Sequence, residues 1–143
     1  MKAKTVPMLF LMVATFVTAA IAVGQWPFGR WRRASDVPIL APQGNGWESA
    51  GTFNPAVVEY NGKFVMLYRA QDAAGTSRLG YAESTDGIHF TRRAEPVLSP
   101  EADYEKDGGV EDPRLQKFGN TFYLTYTGYN KKTRSFAWPL RRI

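Results

Sequence analysis

From Phe53 onward, apolar and polar residues alternate in short bursts separated by turn signals, the period of half-buried strands, with no competing helical period. The stretch "PAVVEYNGKFVMLYRA" predicts a strand, an Asn61-Gly62 turn and a second strand, the strongest short-range signal for a hairpin. "SRLGYAESTDGIHFTRR" predicts another hairpin, with Asp86-Gly87 turning "LGYAES" into "IHFTRR". The chain then begins again. A shift of 58 positions lays Asn54 on Asp112, Pro55 on Pro113, Tyr60 on Phe118, Phe64 on Phe122 and Tyr68 on Tyr126 without a gap. A repeating unit of this length with four short antiparallel strands is a β-propeller blade. The fold class expected is therefore all-β, a propeller of which this chain holds roughly one and a half blades, whereas ring closure takes about four to eight.

Before Phe53 the texture differs. "MKAKTVP" followed by the apolar "MLFLMVATFVTAAIA" and the small-x-small site Ala20-Ile21-Ala22 is the pattern of a secretory signal peptide over residues 1–22. Export to the periplasm or the extracellular space is expected, a membrane anchor formed by the same apolar segment being the alternative. Residues 23–52 show no sustained period and several Pro and Gly, and read as an irregular lead-in. Blade one is expected over 53–110 and the start of blade two over 111–134. The ending "TRSFAWPLRRI" departs from the repeat where a second hairpin is due, and a neighbouring reading frame restores the spacing of "YAESTD". Residues 135–143 are accordingly read as an out-of-frame tail, and the chain as the amino-terminal part of a longer propeller. On that reading the 143-residue chain by itself should be inactive, because its pocket lacks the remaining walls.

The net charge of +5 does not signal nucleic acid. Its basic residues cluster at the two ends, while residues 34–130 carry all 13 acids and only eight Lys or Arg, leaving an acidic middle. With no cysteine, disulfides, zinc-thiolate sites and thiol nucleophiles are excluded.

The candidate chemistry lies in "GGVEDPRL", residues 108–115. The opening strand of each blade lies nearest the propeller axis, so Asn54 and Asp112, at matching positions of consecutive blades, should face one pocket. A carboxyl group fixed there suits a general acid, since burial and a neighbouring carboxylate both raise its pKa toward working pH. Asp112 is assigned the proton. Glu111, which a regular pleat would turn to the opposite side, takes a supporting role. Arg114, two residues on, is placed to bind an anion or a sugar hydroxyl, and Arg69 at the end of the second strand is a second candidate cation. His89 reads as a strand residue at a blade surface, Tyr68 and Tyr126 as packing between blades, and Trp47 as a candidate sugar platform.

Taken in order, "NPAVVEYNGKFVMLYRA", "SRLGYAESTDGIHFTRRAEPVLSP", "YEKDGGVEDPRL" and "FYLTYTGYN" resemble glycoside hydrolase family 130 over about residues 53–130. The resemblance implies a five-bladed propeller acting on β-mannosides by inversion, with inorganic phosphate as the attacking co-substrate in phosphorylases and water in hydrolases. It implies Asp112 as proton donor, acting through a sugar hydroxyl, Asn54 lining the mannose site, and Arg69 in the same pocket. No metal or organic cofactor is implied, and the partner is a β-mannoside oligosaccharide or glycan. The cationic groups that hold phosphate in that family lie mostly on later blades. Competing readings are a non-catalytic propeller module that binds glycan or protein, a pseudogene product, and a propeller glycosidase resembling arabinanases or invertases.

Overall fold

The structure is a computed structural model that describes residues 29–137. The chain divides into two units, residues 1–33 and 34–143, and all the described strands belong to the second. The segment read as a signal peptide lies outside the described residues, as does the tail beyond Ala137. No described helix is long and apolar enough to cross a membrane.

Seven strands make up the described architecture: β1 (Gly51–Tyr60), β2 (Lys63–Gln71), β3 (Ser77–Ser84), β4 (Thr91–Arg92), β5 (Gly109–Phe118), β6 (Thr121–Tyr129) and β7 (Arg134–Ala137). The all-β expectation holds, and no helix occurs among the described residues. β1 to β4 pair antiparallel in sequence order as one blade, and β5 to β7 do the same as a second, partial one. A single parallel bridge, Ser77 to Gly109, stitches the two together where β3 and β5 begin. β7 includes three residues of the stretch read as an out-of-frame tail, paired with Tyr126 to Gly128 of β6.

The first hairpin turns where its sequence signal lies. Asn61 and Gly62 both take positive φ, 51° and 72°, the requirement of a type I′ turn whose twist matches the flanking strands. Its counterpart in the second blade reverses the pair to Gly119-Asn120, with the positive φ of 57° on Gly119 alone, as in a type II′ turn. The hairpin expected around Asp86-Gly87 is shorter than its sequence implies. Only Thr91 and Arg92 of "IHFTRR" join the sheet, opposite Glu83 and Ala82. The Asp86 carboxylate takes the backbone N–H groups of Ile88 and His89, each at 2.8 Å, so these residues close a side-chain-capped loop. His89, expected in a strand, lies in that loop instead, its side chain 85% exposed and 2.6 Å from Asp86.

Packing follows the alternation of β2 and β6. Met66, Tyr68, Ala70 and Ala82 form one cluster, covered by Leu40 and Trp47 of the lead-in and by Phe90. Leu67 and Leu79, from the opposite face of the same blade, join Val110, Leu124, Tyr126 and Ala137 in a second cluster between the blades. Trp47 is spent on this covering role: it stacks on Tyr68 at 6.2 Å and donates its indole N–H to the Ala94 carbonyl at 3.0 Å. Each blade also buries a tyrosine hydroxyl against a glutamate from the segment before its first strand. Tyr68 donates to Glu48 at 2.9 Å, and Tyr126 to Glu105 at 2.6 Å.

Candidate active site

The two Asx-Pro dipeptides distort their strands in the same way. In β1 the register with β2 runs from Phe53–Arg69 to Ala56–Leu67, and in β5 the register with β6 runs from Glu111–Thr127 to Arg114–Thr125. Each first strand therefore carries one extra residue, a β-bulge. Asn54 and Asp112 sit at these bulges with φ of 42° and 51°, the left-handed region that Asn and Asp tolerate best among residues with a Cβ. The following proline has no N–H to offer the ladder, which suits a place where pairing is broken.

The bulges aim the two side chains at each other. Asn54 Nδ2 donates to Asp112 Oδ1 at 2.7 Å, across the line where β1 and β5 approach. Arg69, at the end of β2, completes the group: Nη1 lies 3.4 Å from Asp112 Oδ1, and Nη2 lies 2.7 Å from Glu111 Oε1. Its guanidinium also lies over the half-exposed Phe53 ring, 5.3 Å from the centroid. Asp112 keeps a third of its side-chain surface open to solvent, whereas Glu111 is buried. Both contacts to Asp112 fall on Oδ1.

The structure thus brings together Asn54, Arg69, Glu111 and Asp112. Glu111 is not turned away as a regular pleat would require, because the bulge interrupts the alternation and one guanidinium reaches both consecutive carboxylates. Arg114 is not brought to this group. It lies past the bulge and exposed, and its Nη1 donates to the neighbouring Pro113 carbonyl at 2.8 Å.

Ser77 is the member that sequence reasoning missed. Fully buried at the start of β3, its hydroxyl accepts from Arg69 Nε at 3.0 Å and lies 3.4 Å from Glu111 Oε1. Its backbone explains the glycine pair. Ser77 N donates to the Gly108 carbonyl at 2.8 Å, and a Cβ on Gly109, whose φ is 103°, would collide with the Ser77 carbonyl oxygen. A Cβ on Gly108 would collide with the Tyr129 carbonyl oxygen and ring. β5 can begin between β3 and β6 only with both side chains absent. Among the described residues no group of three or more His, Asp or Glu is arranged to hold a metal ion.

A family model described as beta-1,4-mannooligosaccharide phosphorylase, that of glycoside hydrolase family 130, matches residues 32–139. A 1,2-beta-oligomannan phosphorylase from Thermoanaerobacter sp. (strain X514) is 43% identical over 109 residues, which cover 71% of this chain and 36% of the relative. A crystal structure of a glycosyl hydrolase from Bacteroides ovatus superposes with a TM-score of 0.76 at 39% identity, covering 82% of this chain and 40% of that one. A structure reported for hydrolases of the GH130 family of mannoside phosphorylases, which target beta-1,2 mannosidic linkages in Candida mannan, gives a TM-score of 0.75 at 38% identity, covering 82% and 39%. The chain spans a little over a third of the length of the curated relatives it matches.

Proposed function

The chain belongs to glycoside hydrolase family 130, and from that premise we propose that it carries the proton-donating part of a site that cleaves β-mannosidic bonds with inversion. One observation carries this reading: the carboxylate at the second bulge and the amide at the first share a 2.7 Å hydrogen bond where consecutive blades meet, with a cation beside them.

The two oxygens of Asp112 are differently engaged. Asp112 Oδ1 is held by two donors, Asn54 and Arg69, and an oxygen so engaged does not itself carry the proton. Oδ2, on a side chain a third open to solvent, is therefore the oxygen from which the hydrogen would be delivered. From there it passes, directly or by way of a sugar hydroxyl, to the departing glycosidic oxygen. Phosphate, or water that releases a proton to the solvent as it adds, attacks the anomeric carbon from the opposite face as the carbon–oxygen bond breaks, and the mannosyl configuration inverts. Asn54 keeps the carboxyl aimed while Arg69 supplies positive charge against the carboxylate left behind. The exported location expected from residues 1–22 favours water over phosphate as the acceptor, and needs neither a metal nor an organic cofactor.

The test is to express the protein from the longest reading frame at its locus and assay β-1,2- and β-1,4-mannobiose for release of mannose or mannose 1-phosphate, with and without phosphate. Wild-type release that falls by about 100- to 10 000-fold in Asp112→Asn supports the assignment. Release that survives this substitution sinks it.

A further inference from the structure

We propose that Ser77 and Glu111 act through Arg69 rather than on substrate: the buried pair clamps the guanidinium so that its remaining edge is presented to Asp112. This rests on reading Asp112 as the proton donor.

An arginine side chain is long and loses much rotational freedom when fixed, so one that must stay beside a reacting carboxyl needs anchors. Arg69 has them on two of its three nitrogens. Nη2 makes the short contact to Glu111, at 2.7 Å, and Nε donates to Ser77 at 3.0 Å. The contact to Asp112, at 3.4 Å, is the longest of the three and belongs to the one nitrogen that is otherwise unengaged. The clamp is drier than what it serves, with Ser77 fully buried, Glu111 at 6% and Arg69 at 19% exposed, against 33% for Asp112. Ser77 is itself fixed from outside the cluster. Its backbone is hydrogen-bonded to Gly108 and bridged to Gly109, at the one strand pairing between the blades among the described residues. A chain of direct contacts therefore runs from that bridge through Ser77 and Arg69 to Asp112. Glu111 belongs to the same strand as the carboxylate it serves, so one guanidinium spans a buried acid and an accessible one.

A clamp has a kinetic signature that a substrate-binding residue lacks. Ser77→Ala and the isosteric Glu111→Gln should each lower kcat by about 10- to 100-fold with KM nearly unchanged, because a guanidinium displaced by an ångström misplaces the transition state and not the bound sugar. In the same proteins the Arg69 Nε–H resonance, followed by nitrogen-15 NMR, should exchange slowly with water in the wild type and quickly in Ser77→Ala. Unchanged kcat in both variants, or a rise in KM at constant kcat, overturns the proposal. If the wild type proves inactive on β-mannosides, the functional reading fails by itself and the resonance decides the clamp. Protection lost in Ser77→Ala upholds it, and equal exchange in both proteins refutes it.

Discussion

In the β1–β2 hairpin the bulge holds Asn54 and the neighbouring strand carries Arg69; in the β5–β6 hairpin the bulge holds Asp112 and the residue 58 positions beyond Arg69 is Thr127. The bulged backbone is repeated, down to the left-handed φ and the proline that follows. The charges are not. One hairpin contributes the amide and the cation, the other the two carboxylates, and the group is complete only where the two meet. A repeat thus supplies position, and divergence between its copies supplies chemistry.

The largest effect on turnover should come from exchanging the two bulge residues. Asn54→Asp sets two carboxylates across a contact of 2.7 Å and removes its donor, which should cost about 1–3 kcal/mol of stability. Adding Asp112→Asn restores one donor and one acceptor, so the double variant should regain most of that loss, a coupling of about 1 kcal/mol or more. Turnover should stay down by about 100-fold or more, since the carboxyl now stands on the hairpin that lacks Glu111 as its neighbour. Thermal unfolding and kcat read the two quantities separately. Recovery of both would mean that the positions are equivalent and that the asymmetry described here is idle.

A second contrast concerns where each first strand begins. Gly51 and Gly109 match under the same shift, and a Cβ on either would collide with something. At Gly51 the obstacle is the tip of the Phe53 ring, which can swing aside; at Gly109 it is the Ser77 backbone, and φ is 103°. Gly109→Ala should therefore cost about 3 kcal/mol or more, and Gly51→Ala about 1 kcal/mol, by denaturant unfolding. Equal costs would show that the close approach of β5 to β3 is not what the glycine serves.

These contrasts also mark what a reader of the sequence could reach. Asn61-Gly62 and the 58-residue shift are local or periodic signals, and they located the hairpins and matched Asn54 with Asp112. The bulges are a relation between two strands, so "NP" and "DP" suggested strand starts, and Glu111 was placed by a pleat that does not continue through its neighbour. Ser77 carries no signal at all, because a serine in a strand becomes a ligand of arginine only through the pairing of β2 with β3 and of β3 with β5. Glu105 is hidden differently: in "EADYEKDGG" it is one acid among four, with nothing in the spacing to single it out, yet it is buried.

That buried acid gives the smallest and most discriminating comparison. Glu48 and Glu105 both receive a tyrosine hydroxyl, but Glu48 also faces the Arg92 guanidinium at 2.8 Å, whereas Glu105 takes the Glu101 and Ala102 N–H groups and has no ion pair among the described residues. Tyr126→Phe should therefore cost about 2 kcal/mol and Tyr68→Phe about 1 kcal/mol. Stability should depend on pH through these pairs as well. Burial, and then the carboxylate acceptor, hold both hydroxyls above the usual tyrosine value of 10.0. The unfolded chain then gives up its protons first, so this stability is complete below about pH 10 and is lost as pH rises toward the folded-state values. Either variant should remove one such alkaline step. Glu105 runs the other way. Its burial disfavours the charge, but the hydrogen bonds from Tyr126 and the two N–H groups outweigh it and set it below its ordinary 4.5. Its contribution is present above about pH 4.5 and is lost as pH falls through the lowered value. Tyr126→Phe should consequently soften the acid limb too. Unfolding free energies measured from about pH 3 to 11 read both limbs, and an acid limb left unchanged by Tyr126→Phe would show that the buried hydroxyl does not hold the Glu105 charge.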